Sequence, residues 1–438
     1  MRLTDLHGKK VCILGFGKEG KSAWTALQSH APDCAVTIVD ANPDLAPVPG
    51  ATLKTGDGYL DGLDAFDVII KSPGIAPNAQ LAALGSRITT PTNIFFDEVS
   101  ALGAIVVGIT GSKGKSTTTS LINHLLARAK LPAILCGNIG VPALEVLPGV
   151  STESILVMEL SSYQLMDATQ SPHIAVLTSF FPEHLDYHGS LEAYFDAKAN
   201  IVKFQNANDL VFFNAENSET LRMAKMSKGE HIPFTHDECP LPLSETKLIG
   251  DHNKSNIAAA YKVARHLGVD HEMCLEGIRT FKPLPHRLQS LGLHHGIHWI
   301  DDAISTTPDS AIAALRALGA DVATIILGGT DRGLTFESLA KELVQDSQVS
   351  TVILFPGTGP KIRKEIEKEL NKKIDRKIAL VEADTMEKAV QAAKDAHSNP
   401  NLHSNPPIVL LSTASPSYNM FKNFEEKGEQ FQRCILKQ

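Results

Sequence analysis

The chain has 438 residues, 43% of them hydrophobic and 21% charged, a soluble globular composition with room for about three domains. No apolar run approaches the roughly 18–20 residues of a bilayer-crossing helix, and the charged start "MRLTDLHGKKVCILGFG" reads as a first strand, not a secretory leader. A net charge of −8 without a dense Lys/Arg patch argues against nucleic acid, and six cysteines without a CxxC pair suit free thiols in a reducing cytoplasm, not disulfides or a zinc knuckle.

In chain order, "KKVCILGFG" is a short apolar run ending in glycines, followed by the helix-like "KSAWTALQSH" and the strand-like "AVTIVD" and "AFDVIIKSPG". This βαβ rhythm predicts a mostly parallel sheet. "GFGKEG" is a GxGxxG directly after a strand, and Asp40 follows about twenty residues later, so the direct reading is dinucleotide binding and an NAD-dependent oxidoreductase. Yet a tight turn that lets the backbone approach a diphosphate serves any nucleotide diphosphate, and glycines there also serve plain helix–strand packing. A second series starts near residue 103, with "GAIVVGIT", "SILVMELSS", "HIAVLTSF" and "DLVFFN" as buried strands. A third starts near 290, with "IHWIDDA", the helix "PDSAIAALRALG", then "ATIILGG", "STVILFPG" and "PIVLLSTAS". The turn-rich "KPLPHR" before it reads as a linker. The expectation is an α/β chain of three domains, 1–100, 101–290 and 291–438.

The chemistry concentrates in the second series. "GSKGKST", from Gly111 through Ser112, Lys113, Gly114, Lys115 and Ser116 to Thr117, follows an apolar strand and opens a helix. That is the setting in which backbone N–H groups cradle phosphates, with Lys115 reaching the β/γ-phosphates and the Ser116 hydroxyl meeting Mg²⁺. The spacing is GxxGKS, not the usual GxxxxGK[ST]. Glu159 ends the strand "SILVMELSS" and either holds Mg²⁺ opposite Ser116 or simply faces solvent. In "PEHLDYHGSLEAYFDAK" the His184/His188 spacing lacks the further ligands of a zinc centre, and Lys198 taken singly is unremarkable.

Taken together, "GITGSKGKSTTT", "GNIGVPAL", "MELSSYQL", "PEHLDYHGSLEAYFDAK", "GDHNKSNIAAA", "LPHRLQ" and "KNFEEKGEQF", in this order over essentially the whole chain, resemble the Mur ligases of bacterial cell-wall synthesis. The resemblance implies a Rossmann-like N-terminal domain for a UDP sugar, a central P-loop ATPase and a Rossmann-like C-terminal domain for the acceptor amino acid. It implies an ATP-dependent ligase, working as a cytoplasmic monomer with two Mg²⁺ ions, that joins glutamate to UDP-N-acetylmuramoyl-L-alanine through an acyl phosphate. By motif, Ser116, Glu159 and His184 match metal positions, and Lys198 matches a lysine carried as a carbamate; Lys115, His184 and Lys198 match catalytic positions. Asn253, Asn256, Arg287 and Asp302 match the ATP side, with His286 an interdomain contact. Gly15, Phe16, Gly17, Asp40, Ser72, Pro73 and Gly74 would hold UDP and not NAD, and Asn138, Ser161 and Gln164 the sugar–peptide part. A folylpolyglutamate synthase-like ligase is the nearer rival, and a non-catalytic nucleotide sensor a more distant one. The first is not expected to carry the leading glycine-turn domain; the second needs no second metal site.

The third series departs from the family pattern. Where a lysine is expected to meet the acceptor's carboxylate the chain has Ile304, and a second lysine position is Arg332 by a looser alignment. Thr413 and Ser415 stand where proline and cysteine are usual, while Ser417 and Phe424 match acceptor positions. Either Arg332 with Thr306 and Thr307 holds D-glutamate in a rearranged pocket, the reading slightly favoured, or the chain adds L-glutamate.

Overall fold

The computed structural model describes residues 1–373, 375–398 and 405–437. Two compact units divide them: residues 1–246 with 252–281, and residues 247–251 with 282–438. The chain thus passes between units at Phe281–Lys282, at the start of "KPLPHR", and the short segment 247–251 belongs to the later unit.

The first unit carries two sheets. One has β1 (Lys10–Leu14), β2 (Ala35–Asp40), β3 (Thr52–Thr55), β4 (Val68–Lys71) and β5 (Ile88–Thr89) in the order β3-β2-β1-β4-β5. The other has β6 (Ile105–Thr110), β7 (Ala133–Gly137), β8 (Ile155–Glu159), β9 (Ile174–Leu177), β10 (Leu210–Asn214) and β11 (Glu230–Phe234) in the order β11-β10-β9-β6-β8-β7. All pairings in both sheets are parallel. Strands such as β8, buried at every position, read as unbroken apolar runs because helices cover both faces. One apolar cluster runs from Leu3, Val11 and Ile13 through Phe95 to Leu156, Tyr194 and Val211. The two sheets therefore share a core rather than meeting at a polar seam.

The second unit has β12 (Gln289–His294), β13 (Ile297–Asp301), β14 (Val322–Leu327), β15 (Thr351–Leu354), β16 (Ala379–Glu382) and β17 (Ile408–Leu411) in the order β12-β13-β17-β14-β15-β16. Among the described residues of this sheet, only the β12–β13 hairpin is antiparallel. The alanine-rich stretch forms the helix Pro308–Leu318, started by a capping box at Thr307 and a proline in its first turn. In each sheet the loops after the parallel strands gather at the strands' carboxyl ends, where open α/β sheets hold ligands.

Candidate active site

The glycine loop leaves β6 at Thr110 and enters the helix Lys115–Arg128, so the helix N-terminus and its unpaired N–H groups face the loop. Two glycines are required there. Gly111 lies at φ 155°, and a Cβ on it would meet Thr178 Oγ1 at 2.0 Å; Gly114 lies at φ 87°, with Asn256 Oδ1 at 2.3 Å from such a carbon. The Thr178 hydroxyl donates to the Lys113 carbonyl (2.7 Å) and Ser179 Oγ accepts from Lys113 N (2.9 Å), fixing the loop from β9's end. Ser112 is buried, its Oγ 3.0 Å from the Tyr194 hydroxyl. Ser116 and Thr117 follow in the helix's first turn. Asn253 and Asn256, both buried, are joined by a 2.9 Å bond between their amides. The glycine loop, Thr118 and this asparagine pair therefore form one packed arrangement.

Beside it sit two lysines aimed at one oxygen. Lys115 Nζ donates to Gly111 O at 2.8 Å and to Ser112 O at 3.0 Å. Lys198, on the helix Leu191–Lys203 and only 2% exposed, donates to the same Gly111 O at 2.8 Å. Its own burial first, then the charge of Lys115, push the Lys198 ammonium well below the ordinary lysine range.

Glu159 ends β8 next to β6 and is 1% exposed. Its Oε1 accepts from Asn138 Nδ2 at 2.8 Å, but Oε2 is buried with no hydrogen-bond partner among the described residues. A buried, half-satisfied carboxylate is costly unless a cation or donor completes it. Among the described residues no three His, Cys, Asp or Glu side chains come together as a metal cluster. The unpartnered Glu159 oxygen nonetheless fits a Mg²⁺ that takes most of its oxygens from phosphates and water. His184 is at φ 55°, outside the usual range for a residue with a Cβ, and its Nδ1 lies 3.0 Å from the Tyr163 hydroxyl. Partial covering of its ring is the largest influence on its proton affinity, which is lowered.

In the first sheet Gly15, at φ 86°, makes the turn; a Cβ on Gly20 would strike Gly15 O at 2.1 Å. The Ser72 hydroxyl donates to Gly15 O (2.7 Å), and Asp40 Oδ2 accepts from Phe16 N (2.7 Å). Phe16, Ser72 and Pro73 are buried, whereas Gly17 and Gly74 are exposed. Gln164 bridges the sheets: Nε2 donates to Glu19 at 3.0 Å, and Oε1 takes the N–H and hydroxyl of Ser161 in a capping box. Tyr187, not singled out from sequence, donates to the carbonyls of Pro73 (2.8 Å) and Ile75 (3.0 Å). It ties the Ser72–Gly74 turn to the His184 loop, a long-range contact that no local pattern announces.

In the second unit three loops meet at the carboxyl ends of β13, β14 and β17. Asp302 N donates to Leu411 O and Gly328 N to Thr413 O, both at 2.9 Å. Asp302 is buried and accepts from the hydroxyls of Ser305 and Ser412; burial nevertheless raises its carboxyl to about 6. His286 pairs with Asp301 Oδ2 at 2.8 Å and holds its proton more tightly than usual because of that bond. The Phe424 ring stands edge-on to it, 6.1 Å away. Arg287 is half-buried with Nε unpartnered among the described residues. Arg332 is exposed, its guanidinium 5.5 Å from the Tyr418 ring. Thr306 and Ile304 are half-buried, and Ser417 is 7% exposed, bonded to Lys427, a residue that sequence reasoning passed over.

A family profile described as "Mur ligase middle domain" matches residues 109–239, and one described as "Mur ligase, glutamate ligase domain" matches 286–412. The chain is 35% identical to a UDP-N-acetylmuramoyl-L-alanine–L-glutamate ligase of Salinispora tropica, with 99% of each covered. A protein of the same name from Xanthomonas oryzae pv. oryzae is 32% identical over 98% of this chain and 96% of its own. Among solved structures, UDP-N-acetylmuramate-alanine ligase MurC of Thermotoga maritima matches with a TM-score of 0.61 at 18% identity, covering 97% of this chain and 98% of that one. MurF ligase of Thermotoga maritima in complex with ADP matches with a TM-score of 0.59 at 17% identity, over 99% and 96%. Fold, ordered family domains and near full-length likeness agree: the chain belongs to the Mur ligases, a family of ATP-dependent amide ligases.

Proposed function

We propose that this ligase joins glutamate to UDP-N-acetylmuramoyl-L-alanine, a step of peptidoglycan precursor synthesis. The observation that carries the ATP half is the glycine loop with Lys115 and Lys198 on one carbonyl and the unsatisfied Glu159 oxygen beside them. A carboxylate is a poor electrophile, and phosphorylating it supplies the leaving group that amide formation needs. Lys115 neutralises charge on the transferred phosphoryl, and the helix N-terminus orients it. Mg²⁺, held by Ser116 and Glu159 and, at a second site, by His184 and Lys198 as a carbamate, would supply charge neutralisation. A neutral lysine amine can take up CO₂ whereas an ammonium cannot, and the lowered proton affinity of Lys198 supports that reading.

The UDP end is assigned to Gly15, Phe16, Gly17, Asp40 and Ser72–Gly74, and the sugar–peptide to Asn138, Ser161 and Gln164. Asn253, Asn256, Arg287 and Asp302 are assigned to ATP, and Thr306, Arg332, Ser417 and Phe424 to the acceptor. The relatives' printed names carry L-glutamate, which tips the enantiomer toward L. The reading is of a monomer working in the cytoplasm on a nucleotide-linked sugar; among the described residues no helix is long and apolar enough to cross a membrane.

The test is phosphate release by purified enzyme with ATP, Mg²⁺ and UDP-N-acetylmuramoyl-L-alanine, each glutamate enantiomer being supplied in turn. Release with L-glutamate is expected, and ¹⁸O in the substrate carboxylate should appear in the phosphate. Turnover with neither enantiomer but with another amino acid overturns the acceptor assignment.

A further inference from the structure

The carboxyl end of the second unit's sheet contains a buried cation that the reaction described above does not use. Lys427 lies on the helix Phe424–Leu436, 1% exposed, and its Nζ donates to Thr413 Oγ1 at 2.6 Å and to Ser417 Oγ at 2.7 Å. An ammonium has three donors, and these two bonds are those it makes among the described residues. Thr413 passes its own proton to Ser415 O at 2.9 Å, so it is closed as a donor. Ser417 is different: its oxygen takes the Lys427 proton, and its own O–H has no acceptor among the described residues. A hydroxyl that accepts from an ammonium is polarised and turns its proton outward, which suits it to an anion.

We propose that Lys427 is the positioning cation of the acceptor pocket: it holds Thr413 and Ser417 so that the Ser417 hydroxyl donates to a carboxylate of the incoming amino acid. This rests on reading the chain as a glutamate-adding ligase and names the group that gives a dicarboxylate its buried positive partner. Arg332 is exposed on Tyr418, and Ile304 offers neither charge nor hydrogen bond. The charged groups facing Lys427 are Asp301 at the end of β13 and Asp302 in the loop after it. Asp301 is held by His286, and Asp302 feels the charge of Arg287. On Lys427's own helix Glu425 and Glu429 act on His286, and Gln432 reaches Asp301 at 3.4 Å. The neighbouring Gly428 lets the helix press against the His286–Asp301 pair, since a Cβ there would lie 2.0 Å from His286 Nδ1. Burial lowers Lys427 to about 7 while the two aspartates oppose the shift, so the ammonium is the major form below about pH 7.

The experiment uses the full-length enzyme with phosphate release as readout. Lys427→Met is expected to raise the glutamate KM about 10- to 100-fold, leaving the KM values for ATP and the sugar nucleotide in place. Lys427→Arg, which keeps a cation, is expected to recover most of that loss. A fall in kcat without a rise in glutamate KM, or an equal rise in all three KM values, overturns the proposal. Should Lys427→Met fail to fold, Ser417→Ala decides. The ratio of its glutamate KM to that of the wild type cancels the substrate's own amine titration. That ratio should be largest below pH 7 and shrink as Lys427 loses its proton; a ratio independent of pH overturns the proposal. If the wild type turns over another amino acid and not glutamate, the acceptor reading falls. Lys427 is then judged by the same KM shift on that amino acid.

Discussion

Lys198, by the glycine loop, and Lys427, bonded to Ser417, are both buried near carboxyl ends of sheets, and they are held in opposite ways. Lys198 shares Gly111 O with a second lysine, so its strongest charged neighbour repels its proton. Lys427 sits among two hydroxyls with two aspartates near, so its charged neighbours retain its proton against burial. Burial disfavours an ammonium in both places; the neighbour's sign decides whether the residue is suited to act as a neutral amine or as a cation. The first region crowds two positive side chains onto one carbonyl oxygen; the second holds a single cation among hydroxyls and carboxylates.

The comparison breaks most sharply at Lys115. Lys115→Ala is expected to cut phosphate release about 10²- to 10³-fold, measured at saturating substrates, as removal of a preorganised charge does. If the crowding at Gly111 O favours a carbamate at Lys198, enzyme stripped of CO₂ should lose activity and regain it on adding bicarbonate, and Lys198→Ala should not respond. Bicarbonate dependence in both, or in neither, ends the carbamate reading. A smaller effect tests the loop's geometry: Gly114→Ala puts a Cβ 2.3 Å from Asn256 Oδ1 at φ 87°. It should cost about 1–3 kcal/mol in chemical denaturation and raise the ATP KM.

The smallest effect is the pH dependence of Lys427. Its folded value of about 7 lies below the ordinary lysine value of 10.5, so between these the unfolded chain binds more protons and stability rises with pH. The difference in unfolding free energy between wild type and Lys427→Met should be flat below about pH 7. Above it the wild type should gain, by no more than about 1.4 kcal/mol per pH unit. A difference curve that slopes below pH 7 and levels above it places the titration elsewhere.

Much of the glycine-loop region was legible because its signals are local. A buried parallel strand must be apolar, a loop reaching a phosphate needs glycine at Gly111 and Gly114, and the cation follows within one turn at Lys115; all three are contiguous in sequence. The second unit was less legible. Asp302, Ser417 and Phe424 could be picked out from the chain, but Lys427 reads as one charge in "FEEKGEQ", an ordinary amphipathic helix. That it turns inward depends on Gly428, which has no Cβ to hold the helix off His286, and on Thr413 and Ser417 arriving from β17.

Local rules alone set the order of strands and helices and the place of the glycine loop, because hydrophobic period and glycine spacing act over a few residues. Tertiary structure decided which lysines share a carbonyl, which oxygen of Glu159 is left unsatisfied and which hydroxyl a buried ammonium polarises. Those depend on distances between residues up to 87 positions apart, as for Lys198 and Gly111, and only packing of the core sets such distances.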